Sequence, residues 1–278
     1  MIESQIKLAG CDCAVVEWNP GGSILVFALH GWLDNLATFE CLVGHMPDIR
    51  LVAIDFPGHG HSAHIAPGCA YHFLDGLYLI DDLARHYGQE SINLLGHSMG
   101  GAVSSLYSAS QQARVNKLCL IESLGPLTAE PEQATELLKN AVNQRASLAN
   151  KQKPVYASFN EALAARAIAS QIEREPIKPI VERGLEKVEG GYTWRADSRM
   201  RTTSPSRLSE IQLTAVLKHI AAPTLLIEGT EGLLKGNDTV QQRKQHFSHL
   251  TTRLVSGGHH VHLEQPQSCG EQIAAFFC

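Results

Sequence analysis

The sequence predicts an α/β fold in which a parallel, doubly wound sheet carries helices on both faces. Continuous apolar runs at residues 23–29, 50–55 and 117–122 have the pattern of strands that are buried on both sides. Between the second and third runs, residues 71–87 place apolar side chains close to helical spacing, and Gly88 ends that segment. Strands that alternate with helices in this way build a parallel sheet, and such sheets bind ligands at the carboxyl ends of their strands.

The remaining core elements continue this alternation. Residues 4–18 alternate loosely around Gly10, which is typical of a hairpin at the edge of a sheet. We predict further elements, in chain order, at residues 37–46 (helix), 92–95 (strand, followed by a helix), 223–229 (strand), 239–250 (helix), 251–256 (strand) and 271–277 (helix).

The middle of the chain differs from this pattern. Residues 125–222 contain no run of buried-strand type and are rich in charged, helix-favouring sequence, notably at 132–144, 159–173 and 182–189. A stretch of about a hundred residues without a core strand is too long for a loop. We therefore predict an α/β core of residues 1–124 and 223–278, with a helical cap inserted at residues 125–222.

The composition is that of an ordinary globular protein: 278 residues, 44% hydrophobic and 18% charged, with a net charge of −5. The negative charge argues against nucleic acid or an anionic membrane as a partner, and no apolar run approaches the roughly 18 residues that span a bilayer. The N-terminus lacks the basic start and apolar run of a signal peptide. The seven cysteines include no C-x-x-C pair and suit free thiols in a reducing compartment, so we expect a cytoplasmic protein.

The stretch Gly96-His97-Ser98-Met99-Gly100 lies where a buried strand is expected to turn into a helix. Glycines on either side of the serine allow the chain to fold so tightly that the hydroxyl projects out of the turn, as in a nucleophile elbow. We therefore predict that Ser98 is a nucleophile. A serine nucleophile also needs a base, an acid and hydrogen-bond donors for a developing oxyanion.

The predicted base is His259, which follows the last strand and two glycines and so lies at the same sheet edge as the nucleophile. His260 and His262 are alternatives in the same segment. An oxyanion hole needs two backbone N–H groups. We predict those of Met99, at the start of the helix after the nucleophile, and of Trp32, in the loop after an early strand.

Four motifs follow one another in a familiar order and spacing. They are His30-Gly31-Trp32, Asp55-x-Pro57-Gly58-His59-Gly60-x-Ser62, Gly96-His97-Ser98-Met99-Gly100-Gly101, and Gly258-His259 through Glu264-Gln265-Pro266. In these motifs the chain resembles the α/β-hydrolase superfamily, and residues 30–35 and 121–126 resemble its serine hydrolase-like (kraken-related) branch. The resemblance implies an α/β-hydrolase fold, with a mostly parallel eight-stranded sheet, flanking helices and an inserted helical cap. It also implies Ser–acid–His catalysis without a cofactor.

The acid is the partner for which two residues compete. Most members of the superfamily place an aspartate three residues past the glycine that ends the penultimate strand. This sequence has Gly232 there and Glu231 one position earlier. The other choice is Glu122, at the carboxyl end of the strand after the elbow helix, from which a subset of the superfamily draws its acid. A glutamate that ends an apolar strand is costly unless it is paired, which favours Glu122; Glu231 remains the alternative.

These residues predict a serine hydrolase, first of all a carboxylesterase that cleaves small esters through an acyl-enzyme on Ser98. A thioesterase, an acyltransferase or a carbon–carbon bond hydrolase is the alternative on the same fold, and a non-catalytic ligand-binding relative is the alternative from another class. The expected partner is a small, ester-like molecule. We predict that His30, Gly31, His97 and Trp194 contact this substrate.

Two further patterns have simpler explanations than ligand binding. The run His59-Gly60-His61-Ser62-Ala63-His64 resembles a zinc-binding signature, but alanine replaces its aspartate, and we predict neither a metal nor a cofactor. Residues 194–201 are rich in arginine. These arginines pair either with an anionic substrate or with core carboxylates, and we favour the salt bridges to the core.

Overall fold

The computed structural model describes residues 1–148 and 152–278, and an eight-stranded sheet lies at its centre. Ten strands lie in the described residues: β1 (Ile2–Leu8), β2 (Cys11–Trp18), β3 (Ile24–Leu29), β4 (Ile49–Ile54), β5 (Ile92–His97), β6 (Val115–Ile121), β7 (Leu185–Val188), β8 (Gly191–Trp194), β9 (Thr224–Gly229) and β10 (Leu250–Val255). The sheet order is β1-β2-β4-β3-β5-β6-β9-β10, and β7 and β8 pair as a separate hairpin. The pairs β1–β2 and β2–β4 are antiparallel and the others in the sheet are parallel, which confirms the predicted architecture.

Nine helices lie in the same ranges: α1 (Asp75–His86), α2 (Met99–Ser110), α3 (Ala134–Leu148), α4 (Phe159–Ser170), α5 (Arg174–Gly184), α6 (Glu210–Leu217), α7 (Asp238–Arg243), α8 (Val261–Glu264) and α9 (Pro266–Phe277). A 3-10 helix at Leu36–His45 follows the loop after β3. Among the described residues, no helix combines the length and the apolar character that a membrane crossing requires.

The central strands separate two apolar cores. In β3, Phe27 and Leu29 pack with α1 and α2, whereas Val26 and Ala28 pack with α9 and the 3-10 helix. Successive side chains of a strand point to opposite faces of the sheet, so a strand that is covered on both faces must be apolar at every position. The continuous apolar runs of the sequence are a direct consequence of these two cores.

Three predicted elements differ in the structure. The helix expected at 37–46 is a 3-10 helix, and the one expected at 239–250 ends at Arg243 before β10 begins at Leu250. The helix expected at 182–189 is wrong, because α5 ends at Gly184 and β7 occupies residues 185–188. Gly190 and Gly191 have φ of 84° and 142°, and these positive values permit the tight turn into β8.

The segment between β6 and β9 contains α3 to α6 and the β7–β8 hairpin, and its residues 149–151 lie outside the described residues. It has a small apolar core of its own, with Ile177, Ile180 and Val181 of α5 at the centre. Leu213 and Leu217 of α6, however, pack in the main core. The domain boundaries at residues 125 and 222 stay a prediction, and α6 lies on the core side of the second one in its packing.

Polar contacts hold this inserted segment to the sheet edge. Asp55, at the end of β4, is fully buried and accepts hydrogen bonds from the backbone N–H groups of Leu36 and His61 at 2.8 Å each. Arg183 of α5 donates to the same carboxylate at 2.8 Å. A buried carboxylate is tolerated only when such partners replace its lost hydration. The Asp55 carboxylate therefore fixes two core loops and one helix of the insertion together.

Replacing Asp55 by alanine should lower the free energy of unfolding by about 3 kcal/mol, because the Arg183 guanidinium then keeps only the partly exposed Glu3 as a partner and the N–H groups of Leu36 and His61 lose their acceptor. Urea denaturation measures the change. The control is Glu231→Ala, which removes an exposed pair with Lys235 and should alter the same free energy by at most about 0.5 kcal/mol. Equal effects of the two variants would contradict this account of the Asp55 contacts.

Candidate active site

Ser98 lies in the sharp turn between β5 and α2, with φ of 50° in the left-handed region. The turn requires the glycines around it. A Cβ added to Gly96 would overlap the backbone of Gly101, and one added to Gly100 would overlap the carbonyl of Leu29. The motif thus has the steric meaning that the sequence suggested, and it directs the hydroxyl toward the carboxyl edge of the sheet.

His259 is the histidine that reaches this hydroxyl. Its Nε2 lies 2.9 Å from Oγ of Ser98. The other two histidines of the segment have different neighbours, since Nε2 of His260 lies 3.2 Å from Asp34 and Nε2 of His262 lies 2.7 Å from Thr38 Oγ1. The structure therefore brings together Ser98 and His259, and it separates the two alternatives from the serine.

Glu122 reaches the far nitrogen of the same ring. Its Oε2 is 3.4 Å from Nδ1 of His259, and its side chain is fully buried. The backbone N–H groups of Gly229 and Leu233 donate to the carboxylate at 2.8 and 2.7 Å. Two N–H donors and an imidazole give the buried carboxylate the partners that it needs, and they orient one oxygen toward His259.

Gly232 explains why the carboxylate fits. A Cβ added at this position would overlap the Glu122 carboxylate, so a glycine is required here. The alternative acid, Glu231, is wrong by position. Its side chain is 71% exposed and pairs with Lys235 at 2.7 Å, because its backbone N–H is bound to the carbonyl of Gly257 and the side chain turns to solvent.

The protonation of His259 follows from its surroundings. Burial lowers the pKa of His259 below its ordinary value, the hydrogen bond to Glu122 opposes this, and the nearby His97 lowers the pKa further. The net direction is down, so the ring is neutral near pH 7 and its Nε2 can accept a proton from the serine hydroxyl.

The two N–H groups predicted for the oxyanion hole are both without an acceptor in the described residues. That of Met99 is at the first residue of α2, where the helix dipole adds partial positive charge. That of Trp32 lies in the loop after β3, and the indole of this residue is half exposed and donates to the carbonyl of Met200 at 3.0 Å. Their joint role stays a prediction.

The residues predicted to contact substrate have other contacts. His30 is fully buried, with Nδ1 donating to the carbonyl of Gly31 at 2.7 Å and Nε2 accepting from the N–H of Phe56 at 3.0 Å. Burial lowers the pKa of His30 to about 4, so the ring is neutral. His97 is fully buried as well, and Gly31 packs against its ring. The burial of the His30 and His97 side chains argues against direct contact of either with substrate, and the predicted contact at Gly31 stays a prediction.

Trp194 belongs to the packing of the inserted segment. Its ring meets Tyr156 edge to face at 6.1 Å, and its Nε1 donates to the hydroxyl of that tyrosine at 3.3 Å. The predicted contact of Trp194 with substrate is therefore not supported by its position. Nearby, Arg199 pairs with Asp197 of the same inserted segment and donates to the carbonyls of Ile65, Ala66 and Cys69 in the core. The contact with the core is thus made through carbonyl groups and not through the salt bridges to core carboxylates that the sequence favoured.

Asp34 and Arg166, which were not among the predicted site residues, form a buried cluster with His97 and His260 beside the candidate site. One ligand atom from each of Asp34, His97 and His260 lies within 4.8 Å of the others, a spacing that suits a metal. The guanidinium of Arg166 already pairs with Asp34 and balances its charge, which favours a salt-bridged network over a metal site. The position of Asp34 inside the motif at residues 30–35 is the sequence feature that could have indicated a role for it.

The family model described as the alpha/beta hydrolase fold matches residues 24–266. The chain belongs to this family. A serine hydrolase-like protein of Dictyostelium discoideum is 30% identical over 284 residues, and the match covers 96% of this chain and 79% of the relative. This similarity confirms the predicted resemblance to the serine hydrolase-like branch of the α/β hydrolases.

Two solved structures superpose on all or nearly all of the chain. A hypothetical protein from Pseudomonas aeruginosa PAO1 superposes with a TM-score of 0.93 at 35% identity, covering 100% of this chain and 98% of that chain. The thioesterase domain from the curacin biosynthetic pathway superposes with a TM-score of 0.86 at 25% identity, covering 98% of this chain and 99% of that chain. Both superpositions therefore extend over the inserted segment as well as the core.

The lowered pKa of His259 predicts the pH dependence of turnover. The ring acts as a base only when it is neutral, so activity is present above its pKa in the folded protein and is lost as the pH falls through that value. Since this pKa lies below the ordinary value of about 6.5, kcat/KM for an ester substrate should be level at pH 7 and fall only below about pH 6.5. An acid limb above pH 7 would contradict the stated surroundings of the ring.

Proposed function

We propose that the protein is a serine hydrolase that cleaves small carboxylic esters through an acyl-enzyme on Ser98. The observation that carries the proposal is the continuous chain from Oγ of Ser98 to Nε2 of His259 at 2.9 Å, and from Nδ1 of that ring to Glu122 at 3.4 Å. A buried carboxylate, an imidazole and a hydroxyl in this order form the arrangement that activates a serine.

In the proposed first step, Nε2 of His259 takes the proton of Ser98 while Oγ forms a bond to the acyl carbon. The carbonyl bond of the ester opens to an oxyanion, which the N–H groups of Met99 and Trp32 stabilise. His259 then gives its proton to the leaving alcohol as the carbon–oxygen bond of the ester breaks. Glu122 remains ionised throughout and holds the imidazolium in place.

In the second step, a water molecule gives a proton to Nε2 of His259 and attacks the acyl carbon. The tetrahedral intermediate collapses, the bond to Oγ of Ser98 breaks, and the serine recovers the proton. The products are a carboxylic acid and the unchanged side chains. This sequence uses groups of the chain and one water molecule, and it involves no cofactor or metal.

A thioesterase is the second candidate, because the thioesterase domain from the curacin pathway shares 25% identity and the fold along almost the full chain. The same three side chains hydrolyse an ester or a thioester, since both react through an acyl-serine. The choice depends on the walls of the site. We propose that residues 125–222 supply part of those walls as a cap, since the carbonyl of Met200 already receives the indole N–H of Trp32.

A panel of p-nitrophenyl esters and matching thioesters tests the proposal, with wild type compared with Ser98→Ala. Wild type should turn over at least one class, and the variant should lose activity by about 10³-fold or more, since the nucleophile is removed. A fluorophosphonate probe should label wild type and leave Ser98→Ala unlabelled. Equal turnover by both proteins would overturn the proposal, and failure of wild type to react with the probe would favour a ligand-binding role.

Substitutions of the two candidate acids, and a double variant that moves the carboxylate to position 232, test which residue is the acid. Glu122→Gln should lower kcat by about 10³–10⁴-fold, because the amide cannot hold the required tautomer and charge, whereas Glu231→Gln should change it by less than about twofold, because that side chain lies in solvent. The double variant Glu122→Gly with Gly232→Asp puts the Cβ of an aspartate beside the space that the Glu122 carboxylate vacates, so that a carboxylate is again near His259, and Gly suits the φ of 49° at position 122.

The kcat of the double variant should be at least about tenfold higher than the kcat of Glu122→Gly alone. Thermal unfolding checks that each variant is folded. A large loss in Glu231→Gln, or full activity in folded Glu122→Gln, would show that Glu122 is not the acid.

A further inference from the structure

A second set of buried charged groups lies directly behind His259 and has no part in the proposed chemistry. Nε2 of His97 lies 3.0 Å from the main-chain carbonyl of His259. Nδ1 of the same ring lies 3.6 Å from Oδ2 of Asp34, and it has no hydrogen-bond partner in the described residues. His260 also reaches Oδ2 at 3.2 Å, and Arg166 pairs with Oδ1.

The contacts of His97 restrict where its protons lie. A carbonyl oxygen only accepts, so Nε2 of His97 must donate to His259. The other nitrogen lies 3.6 Å from Oδ2 of Asp34, which is within ion-pair distance and too long for a hydrogen bond. The hydrogen bond from Nε2 of His97 therefore holds the main chain of His259, and the Asp34 carboxylate and Gly31 lie beside Nδ1 of the same ring.

Arg166 connects this set to the inserted segment. It lies on α4, and its pairing with Asp34 supplies the positive charge that a fully buried carboxylate requires. A second contact follows the same path, because Leu263 of α8, four residues after His259, packs in the apolar cluster of the insertion with Ile177 and Ile180. The segment that carries the histidine is thus held by the core through His97 and by the insertion through Arg166 and Leu263.

We propose that Asp34, His97 and Arg166 form a positioning array that holds the main chain of His259 and couples its ring to the inserted segment. The array rests on the proposed function, since it acts through the proposed base. None of its three members touches the reacting atoms: they are positioning residues. The array predicts two consequences, a loss of kcat when the main chain of His259 is released and a shift in the pH at which that ring loses its proton.

The direction of the pH shift follows from the groups that face the ring. Those groups are Glu122 after β6, His97 at the end of β5, Asp34 in the loop after β3, His260 and His262 in its own segment, and Arg166 behind Asp34. Asp34 raises the pKa of His259 and a positive charge lowers it. Removing the carboxylate and removing the guanidinium should therefore move the acid limb of kcat/KM in opposite directions.

The experiment compares Asp34→Asn, Arg166→Met and the double variant by their pH–rate profiles on the best ester of the panel. Asp34→Asn should move the acid limb to lower pH, and Arg166→Met should move it to higher pH, each by about half to one unit. The double variant restores the charge balance and should return the limb toward that of wild type. Each single variant should lower kcat by about 10–100-fold with little change in KM, because the ring is misplaced relative to the serine.

The matched control is Arg183→Met. Arg183 is the arginine that pairs with another core aspartate, Asp55. The Asp55 carboxylate is bound by the N–H groups of Leu36 and His61 and not by the segment that carries His259. This variant should lose thermal stability with its acid limb unmoved. Arg166→Lys, which keeps the charge, should also leave the limb in place.

The array is overturned if folded Asp34→Asn and Arg166→Met keep the wild-type limb and differ only in melting temperature, as Arg183→Met should. If Asp34→Asn does not fold, Arg166→Met decides alone, since an unmoved limb contradicts the array. The proposed function fails in a different way, through turnover that persists in Ser98→Ala. The two outcomes are therefore distinguishable in the same set of proteins.

Discussion

The arrangement of this protein depends on the need to satisfy buried carboxylates at the carboxyl edge of one sheet. Asp34, Asp55 and Glu122 are each at most 3% exposed, and each follows a core strand. Removal from water would be prohibitive without donors, so every one of them gathers N–H groups or charged side chains from distant parts of the chain. The loops that meet at this edge therefore have little freedom, and the side chains that they carry are held in fixed relative positions.

The pattern of the sequence was sufficient wherever one local rule decides the outcome. A strand that is covered on both faces must be apolar throughout, so β3 and β6 were visible as runs. The turn at Ser98 needs small residues on either side because backbone approaches backbone there, so its glycines predict it without a structure. His259 was identifiable for a similar reason, since the two glycines before it permit a tight turn after the end of β10.

Other features depend on contacts between residues far apart in the chain, and the sequence does not show these. Glu122 and Glu231 are the same residue type, so the sequence alone does not distinguish them as the acid. The structure favours Glu122, because Gly232 leaves space for its carboxylate and the N–H groups of Gly229 and Leu233 donate to it. The β7–β8 hairpin could not be predicted for the same reason. Its charged sequence favours a helix, whereas in the structure Tyr192 of β8 pairs with Tyr156, which lies outside the hairpin. Tertiary contacts override local propensity at such positions.

The attachment of the inserted segment explains why polar residues at this edge have more than one task. Its own apolar core is small, and much of its contact with the sheet edge is directional: Arg166 to Asp34, Arg183 to Asp55, and Asn35 to the carbonyl of Ile180. Directional contacts fix one position, whereas an apolar face tolerates sliding. Because Asp34 also faces His97, the seating of α4 and the placement of His259 share one carboxylate. A change in the insertion can therefore alter the site without touching any of the three side chains proposed to carry the chemistry.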